Sequence, residues 1–315
     1  MSRAAAPLPE EWATEPFRVR DALRRGLPPG RMAGPDLIRP FNSVRTLTPV
    51  RAPREIVEAY ALRQHPGQVI SHTTALLLWG APLPRSVETE EAIHVSSVGA
   101  ARPRTAHTIP HRLYPQRTPV TMLGDIHLTS PEVSWVMSAP LLGLDALIAA
   151  GDFLVTGSEP YDGAPPLTTI DALAATVARR PGDRGIRRAR EALEQVRYGS
   201  LSNGETRMRL MVVRAGLPEP ELNYWVLGPL GDRVAMLDGA YPEFQQALEY
   251  ESLLHQSPEK FRRDIRKQQE LAAIDWNLHR LTSEEVDPRL RTPASRAAVA
   301  RIRAALRARG WTPPR

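Results

Sequence analysis

Asp238, Glu249 and Glu251 are the residues of this sequence whose placement calls for chemistry. Val234, Met236 and Asp238 alternate along a run, 233–238, that reads as a strand, so an acid stands where the period-two pattern asks for an apolar side chain. Glu249 and Glu251 lie two apart in the next extended run, 246–251, and project from one face, where like charges are unfavourable without a cation. Glu205 joins them from a helix. Glu205, Met208 and Val212 recur at i, i+3 and i+7, which puts the acid on an apolar face; its spacing from Ser202 equally suits a capping box, so cap and ligand are both open to it. Carboxylates converging on a divalent ion are what metal-assisted phosphodiester hydrolysis requires, the ion orienting a water and neutralising charge on the phosphate. His255 follows the second strand closely enough to overhang the same end of the sheet. Asp264 shares a helical stripe with Phe261, Ile265 and Leu271 and reads as a structural partner of Arg280, Arg262 or Arg266 in preference to a ligand. The other histidines (His65, His72, His94, His107, His111, His127 and His279) show no ligand spacing and read as packing or surface residues. There is no glycine-rich phosphate loop and no Gly-x-Ser-x-Gly elbow.

The elements that must position these acids follow from local signals. Ser202 opens a helix that ends at Gly216, with Pro218 just beyond. Two strands, 223–227 and 233–238, flank the turn Gly228-Pro229-Leu230-Gly231-Asp232. A corner at Tyr241-Pro242-Glu243 leads into 246–251. Ser257 and Pro258 start a helix reaching Ala273, and the strand 276–281 after that crossover is predicted parallel to 246–251. Thr292-Pro293 opens a terminal Arg-rich helix whose arginines (Arg296, Arg301, Arg303, Arg307, Arg309) mix faces and read as solvated.

Earlier in the chain the order is a helix over 17–25, a Pro-rich turn, a short helix-like element at 36–38 and an extended 43–47, compatible with a small winged-helix-like unit. Ser71 caps a helix carrying Ala75, Leu78 and Trp79, and 93–97 is a strand. After Thr129-Ser130-Pro131-Glu132 the chain reads as mostly helical to Tyr198, broken by 157–166 (GSEPYDGAPP), a linker or long loop, and by 181–185. Its 315 residues with 42% hydrophobic content suffice for two or three cores. The absence of cysteine excludes disulfides and Cys-ligated metal, and with no leader-like or membrane-length apolar run it makes the cytoplasm the default. A net charge of +6 permits nucleic-acid binding without diagnosing it, since only Lys260 and Lys267 among 41 basic residues are lysines, and Arg, Ala and Pro are plentiful together.

The stretches ETRMRLMVVRAGLPEPELN (205–223), LDGAYPE (237–243), LEYESLLH (248–255) and RRDIRKQQELAAIDWNLHR (262–280) together resemble a group of actinobacterial proteins. The C-terminal domain of those proteins belongs to the restriction-endonuclease-like superfamily, near the very-short-patch-repair endonucleases. PFNSVRT (40–46) and VISHTTALLLWGAPLP (69–84) are similar to their N-terminal part, which includes a winged-helix unit like that of type IV (abortive-infection) antitoxins.

The resemblance implies an α/β C-terminal domain, a mixed sheet flanked by helices, preceded by an α+β winged-helix-like region. The expected divisions are 1–50 as a winged-helix-like DNA-binding segment, 51–156 as an α+β middle region, 157–199 as linker and helices, and 200–315 as the nuclease-like domain. It implies Mg²⁺ (or Mn²⁺) on Asp238, Glu249 and Glu205, with Glu251 or His255 handling the proton. Arg207, Arg209, Lys260 or Arg266 would hold DNA phosphates, with Asp264 and Arg280 in support. The partners implied are DNA, with a cognate toxin or a second copy of the chain in addition, and no membrane. Four positions depart from the family pattern: Glu251 for Asp, Ser252 for Gly, Gln256 for a second His and Asp275 for the Gly before Trp276. Gln256 cannot act as an imidazolium acid. A metal-dependent DNA endonuclease of repair or phage defence is therefore expected, the rival being a DNA-binding regulator that keeps the nuclease fold without turnover.

Overall fold

A computed structural model describes residues 6–99, 102–103, 105–114, 116, 118–161, 163–251 and 258–313, with side chains left out at 161 and 258–261. The chain divides into two units, 1–142 with 171–190, and 143–170 with 191–315.

In the first unit the predicted N-terminal helix starts two residues late, because Phe17–Arg18 (β1) pairs antiparallel with Val44–Arg45 (β2) before α1 (Val19–Arg24) begins. The element expected at 36–38 is not helical; Ile38 makes an antiparallel bridge to Thr46, and the helical turn lies earlier, at Pro29–Ala33. Trp12, Phe17, Ala22, Met32 and Leu37 form a core of their own, while Phe41 and Val44 join that of Ile56 and Tyr60 in α2 (Pro53–Ala61). The main sheet has the order β5-β4-β3-β7-β6, from β3 (Gln68–Ile70), β4 (Ile93–Ser97), β5 (Thr108–Arg112), β6 (Val120–Leu123) and β7 (Ile126–Thr129). β4 runs antiparallel to β3 and parallel to β5. Between β3 and β4 come α3 (His72–Leu78) and the single turn α4 (Arg85–Glu88); α5 (Pro131–Ser138) follows β7, its start marked by Ser130-Pro131.

The second unit begins earlier than the sequence suggests. α6 (Leu144–Thr156) belongs to it, and the expected linker folds back on that helix: Gly157 holds φ 62, where an added Cβ would meet the Ala164 and Pro165 carbonyl oxygens at 2.6 Å, and the Leu167 amide donates to the Leu154 carbonyl. Two further helices, α7 (Ile170–Ala178) and α8 (Ile186–Leu193), fall largely in the first unit and precede the acidic region in sequence. α9 (Asn203–Arg214) is followed by β8 (Glu221–Leu227), β9 (Arg233–Tyr241), β10 (Gln246–Glu251), α10 (Pro258–Ala273), β11 (Asn277–Thr282) and α11 (Pro293–Ala308). The sheet order is β11-β10-β9-β8; β8, β9 and β10 form an antiparallel meander, and the crossover through α10 sets β11 parallel to β10. Tyr241, Leu248 and Leu281 pack with Met208 and Val212 of α9 and with Val299 and Ile302 of α11. Leu271 of α10 packs with Ala240 and Ala247. The architecture is mixed α/β, with mixed sheets flanked by helices, and no described helix is long and apolar enough to cross a membrane.

Candidate active site

β9 and β10 exchange ladder bonds only as far as Gly239↔Leu248. Beyond that pair the strands part, and the Asp238 side chain takes up the next amide: its Oδ2 accepts from Tyr250 N at 2.8 Å. By strand alternation Asp238, Glu249 and Glu251 lie on one face of the sheet, with Arg280 paired to Glu249 in the β10/β11 register. The sequence pattern thus brings the acids of both strands to one place, where the ladder opens.

The residue that completes this face was not assigned there from sequence. Lys267, on α10, donates from Nζ to the Met236 carbonyl at 2.7 Å and to the Glu249 carboxylate. The cation beside Glu249 therefore comes from the overlying helix and not from the strand. One signal was available: Lys267 is one of two lysines in a chain that otherwise uses arginine. Glu251 faces Arg280, with 3.6 Å between Oε1 and Nε.

Glu205 holds both of the roles left open for it. Its amide donates to Ser202 Oγ at 3.1 Å and its carboxylate accepts from Leu201 N at 2.8 Å, which is cap geometry at the start of α9. It is also 8% exposed and close enough to Asp238 for each charge to bear on the site.

Burial, together with the Glu205 and Glu251 charges, pushes the Asp238 carboxyl up to about 7 against the opposing Tyr250 amide and Lys267. Burial likewise raises Glu249 against the pull of Lys267, and burial raises Glu205. Asp238 therefore holds its proton near neutrality unless further positive charge is supplied.

Of the phosphate-binding candidates, Arg209 is corrected. It is 1% exposed and donates to Asp152 Oδ2 at 2.9 Å, to Glu219 Oε1 at 3.1 Å and to the Gln195 carbonyl at 2.8 Å, so it ties α9 to α6 instead of facing a ligand. Arg207 is half-buried and donates to the Val286 carbonyl at 2.7 Å. Arg266 is exposed and, with Arg263, Lys267 and Met236, lines a groove of about 560 Å³ between α10 and β9. Arg280 does support Asp264, through the latter's carbonyl (3.0 Å) and not its carboxylate. His255, Ser252 and Gln256 lie outside the described residues, as does the side chain of Lys260. Asp275 occupies φ 65, a left-handed conformation that favours glycine, and pairs with Arg309 at 2.7 Å.

The histidine reading also needs correction. Among the described residues, the one set of three candidate ligands whose donor atoms all lie within 4.8 Å of one another is His72, His94 and His111, in the first unit. The carboxylates of Glu205, Asp238 and Glu249 are spread more widely than that, with Glu249 held by Lys267.

No family model matches the chain, and no solved structure does. Two uncharacterised proteins of Mycobacterium tuberculosis, from strains CDC 1551 / Oshkosh and ATCC 25618 / H37Rv, are each 34% identical to it over 111 residues, 35% of this chain and 41% of theirs. The match thus spans about two-fifths of the length of these curated relatives.

Proposed function

We propose that the second unit is a divalent-metal-dependent DNA endonuclease, hydrolysing phosphodiester bonds in the cytoplasm in repair or phage defence. The observation that carries this reading is the meeting of Asp238, Glu249 and Lys267 where the β9/β10 ladder opens. The donor set suits Mg²⁺ or Mn²⁺: hard carboxylate oxygens, buried together with like charges that raise one another's proton affinity. Asp238 and Glu249 would hold the ion, with Glu205 on a second ion or its water shell; when bound, the ion supplies Lewis acidity to the phosphate and an acidified water. Asp238 keeps its carboxylate aimed through the Tyr250 amide. Lys267, next to Glu249 and the Met236 carbonyl, would offset negative charge on the phosphate and orient the attacking water. Arg266 and Arg263 border the groove through which a DNA backbone would reach the acids.

Purified protein incubated with supercoiled plasmid and Mg²⁺ or Mn²⁺ tests this. Nicking that disappears in Asp238→Asn, Glu249→Gln and Lys267→Met supports hydrolysis at this centre. DNA binding without metal and without nicking supports a second reading, a regulator of antitoxin type that keeps the fold alone; the neutralisation of Glu249 by Lys267 is the observation in its favour.

A further inference from the structure

Three histidines distant in sequence meet in the first unit. His94 and His111 stand on the paired parallel strands β4 and β5, and His72 opens α3, which follows β3 on the other side of β4. His94 Nδ1 and His111 Nε2 are 2.8 Å apart, and the His72 ring stacks on that of His111 with centroids 3.8 Å apart. His72 and His94 are buried and His111 is half-buried.

We propose that His72, His94 and His111 form a binding site for one borderline divalent cation of the Zn²⁺ type, with its remaining coordination position turned to the adjoining cleft.

Three observations converge on this. Imidazole nitrogens alone select Zn²⁺-like ions over the oxygen-seeking Mg²⁺ and Ca²⁺. One ring has its other nitrogen engaged as a metal-ligating histidine requires: His72 Nδ1 is 2.8 Å from Ser71 Oγ, itself 2.7 Å from Ser96 Oγ. His72 holds φ 55, a left-handed conformation that residues with a Cβ avoid and that concentrates at functional sites.

Tetrahedral Zn²⁺ with Zn–N near 2.0–2.1 Å sets ligand nitrogens roughly 3.3 Å apart, so the ion enters between His94 Nδ1 and His111 Nε2, parting them by about half an ångström as the proton between them moves to the far nitrogen of its ring, while the His72 ring swings off the His111 face on which it stacks. His72 and His111 line a cleft of about 470 Å³ together with Arg112, Tyr114 and Arg184. The fourth ligand is therefore a water or small oxyanion reached from that cleft, the open arrangement of a site that does chemistry or senses a ligand and not of a closed structural one.

Chelator-stripped full-length protein titrated calorimetrically with Zn²⁺ alone should show one sub-micromolar site. His111→Gln and His72→Asn should each weaken it at least about 100-fold, and Ser71→Ala about tenfold. Asp238→Asn should leave it unchanged, which separates this site from the acidic centre of the second unit. Because a buried histidine variant can fail to fold, wild-type protein loaded with Co²⁺ gives an independent reading: intense visible d–d bands mark a four-coordinate ion. The absence of a saturable Zn²⁺ site, a weak six-coordinate Co²⁺ spectrum, binding unchanged in folded histidine variants, or binding lost in Asp238→Asn would each overturn the assignment.

Discussion

Asp238→Asn is expected to stabilise the second unit above pH 7. The Asp238 carboxyl rises from 3.8 to about 7 because it is buried beside Glu205 and Glu251, so the folded state binds its proton more tightly than the unfolded chain does. A group raised in this way contributes its full stability below the unfolded value and loses it as pH rises through the folded one. Roughly three units at about 1.4 kcal/mol each make the ionised carboxylate cost about 4 kcal/mol at pH 8. At pH 5 the folded protein keeps the proton, and the cost shrinks to less than about 2 kcal/mol. Asparagine carries no charge at either pH, and its Oδ1 still accepts from the Tyr250 amide. The assay is thermal unfolding followed by circular dichroism in chelator. The variant's transition for this unit should lie about 8 °C or more above wild type at pH 8, and the gap should narrow by half or more at pH 5. A gap that does not change with pH, or a variant less stable than wild type at pH 8, would refute the assignment of strain to this carboxylate.

Other substitutions separate roles that the sequence leaves merged. Lys267→Met, which leaves Glu249 without its counter-charge, should lower plasmid nicking by about 100-fold or more while the far-ultraviolet spectrum is retained. Arg209→Met should destabilise the unit by about 3–5 kcal/mol in denaturant titrations, since it strands the buried Asp152 carboxylate; Asp152→Asn added to it should recover most of that, and DNA affinity should not follow. Gly204→Ala, which on an exposed helix would gain up to about 1 kcal/mol, should here cost about 1–3 kcal/mol, because the new Cβ would stand 2.1 Å from the Tyr250 ring. Its unfolding midpoint checks this.

Much of the second unit was legible because its signals are local. Alternation gave β10 its bounds of Gln246–Glu251, Pro258 marked the start of α10, and a helical crossover forces the parallel β11. Asp238 stood out as an acid in an apolar register, and the structure places it where the ladder ends. The features that escaped depend on distant residues meeting. Nothing near Arg209 foretells Asp152 on α6, so an arginine spent on a buried ion pair read as one available to phosphate. Lys267 reaches Glu249 only through the packing of α10 over the sheet, and α6 joins this unit by the same kind of tertiary contact. His72, His94 and His111 sit on three elements with no common spacing; only the β4/β5 pairing and the return of α3 assemble them.

The hydrolysis proposed for the second unit's centre would require a divalent cation on Asp238 and Glu249, and a calorimetric Mn²⁺ titration of full-length protein examines that requirement most directly. Saturable binding at pH 8, weakened as pH falls below 7 when Asp238 takes up its proton, abolished in Asp238→Asn and retained in His111→Gln, is the predicted result. Absence of saturable Mn²⁺ binding, or binding that Asp238→Asn leaves intact, would contradict it.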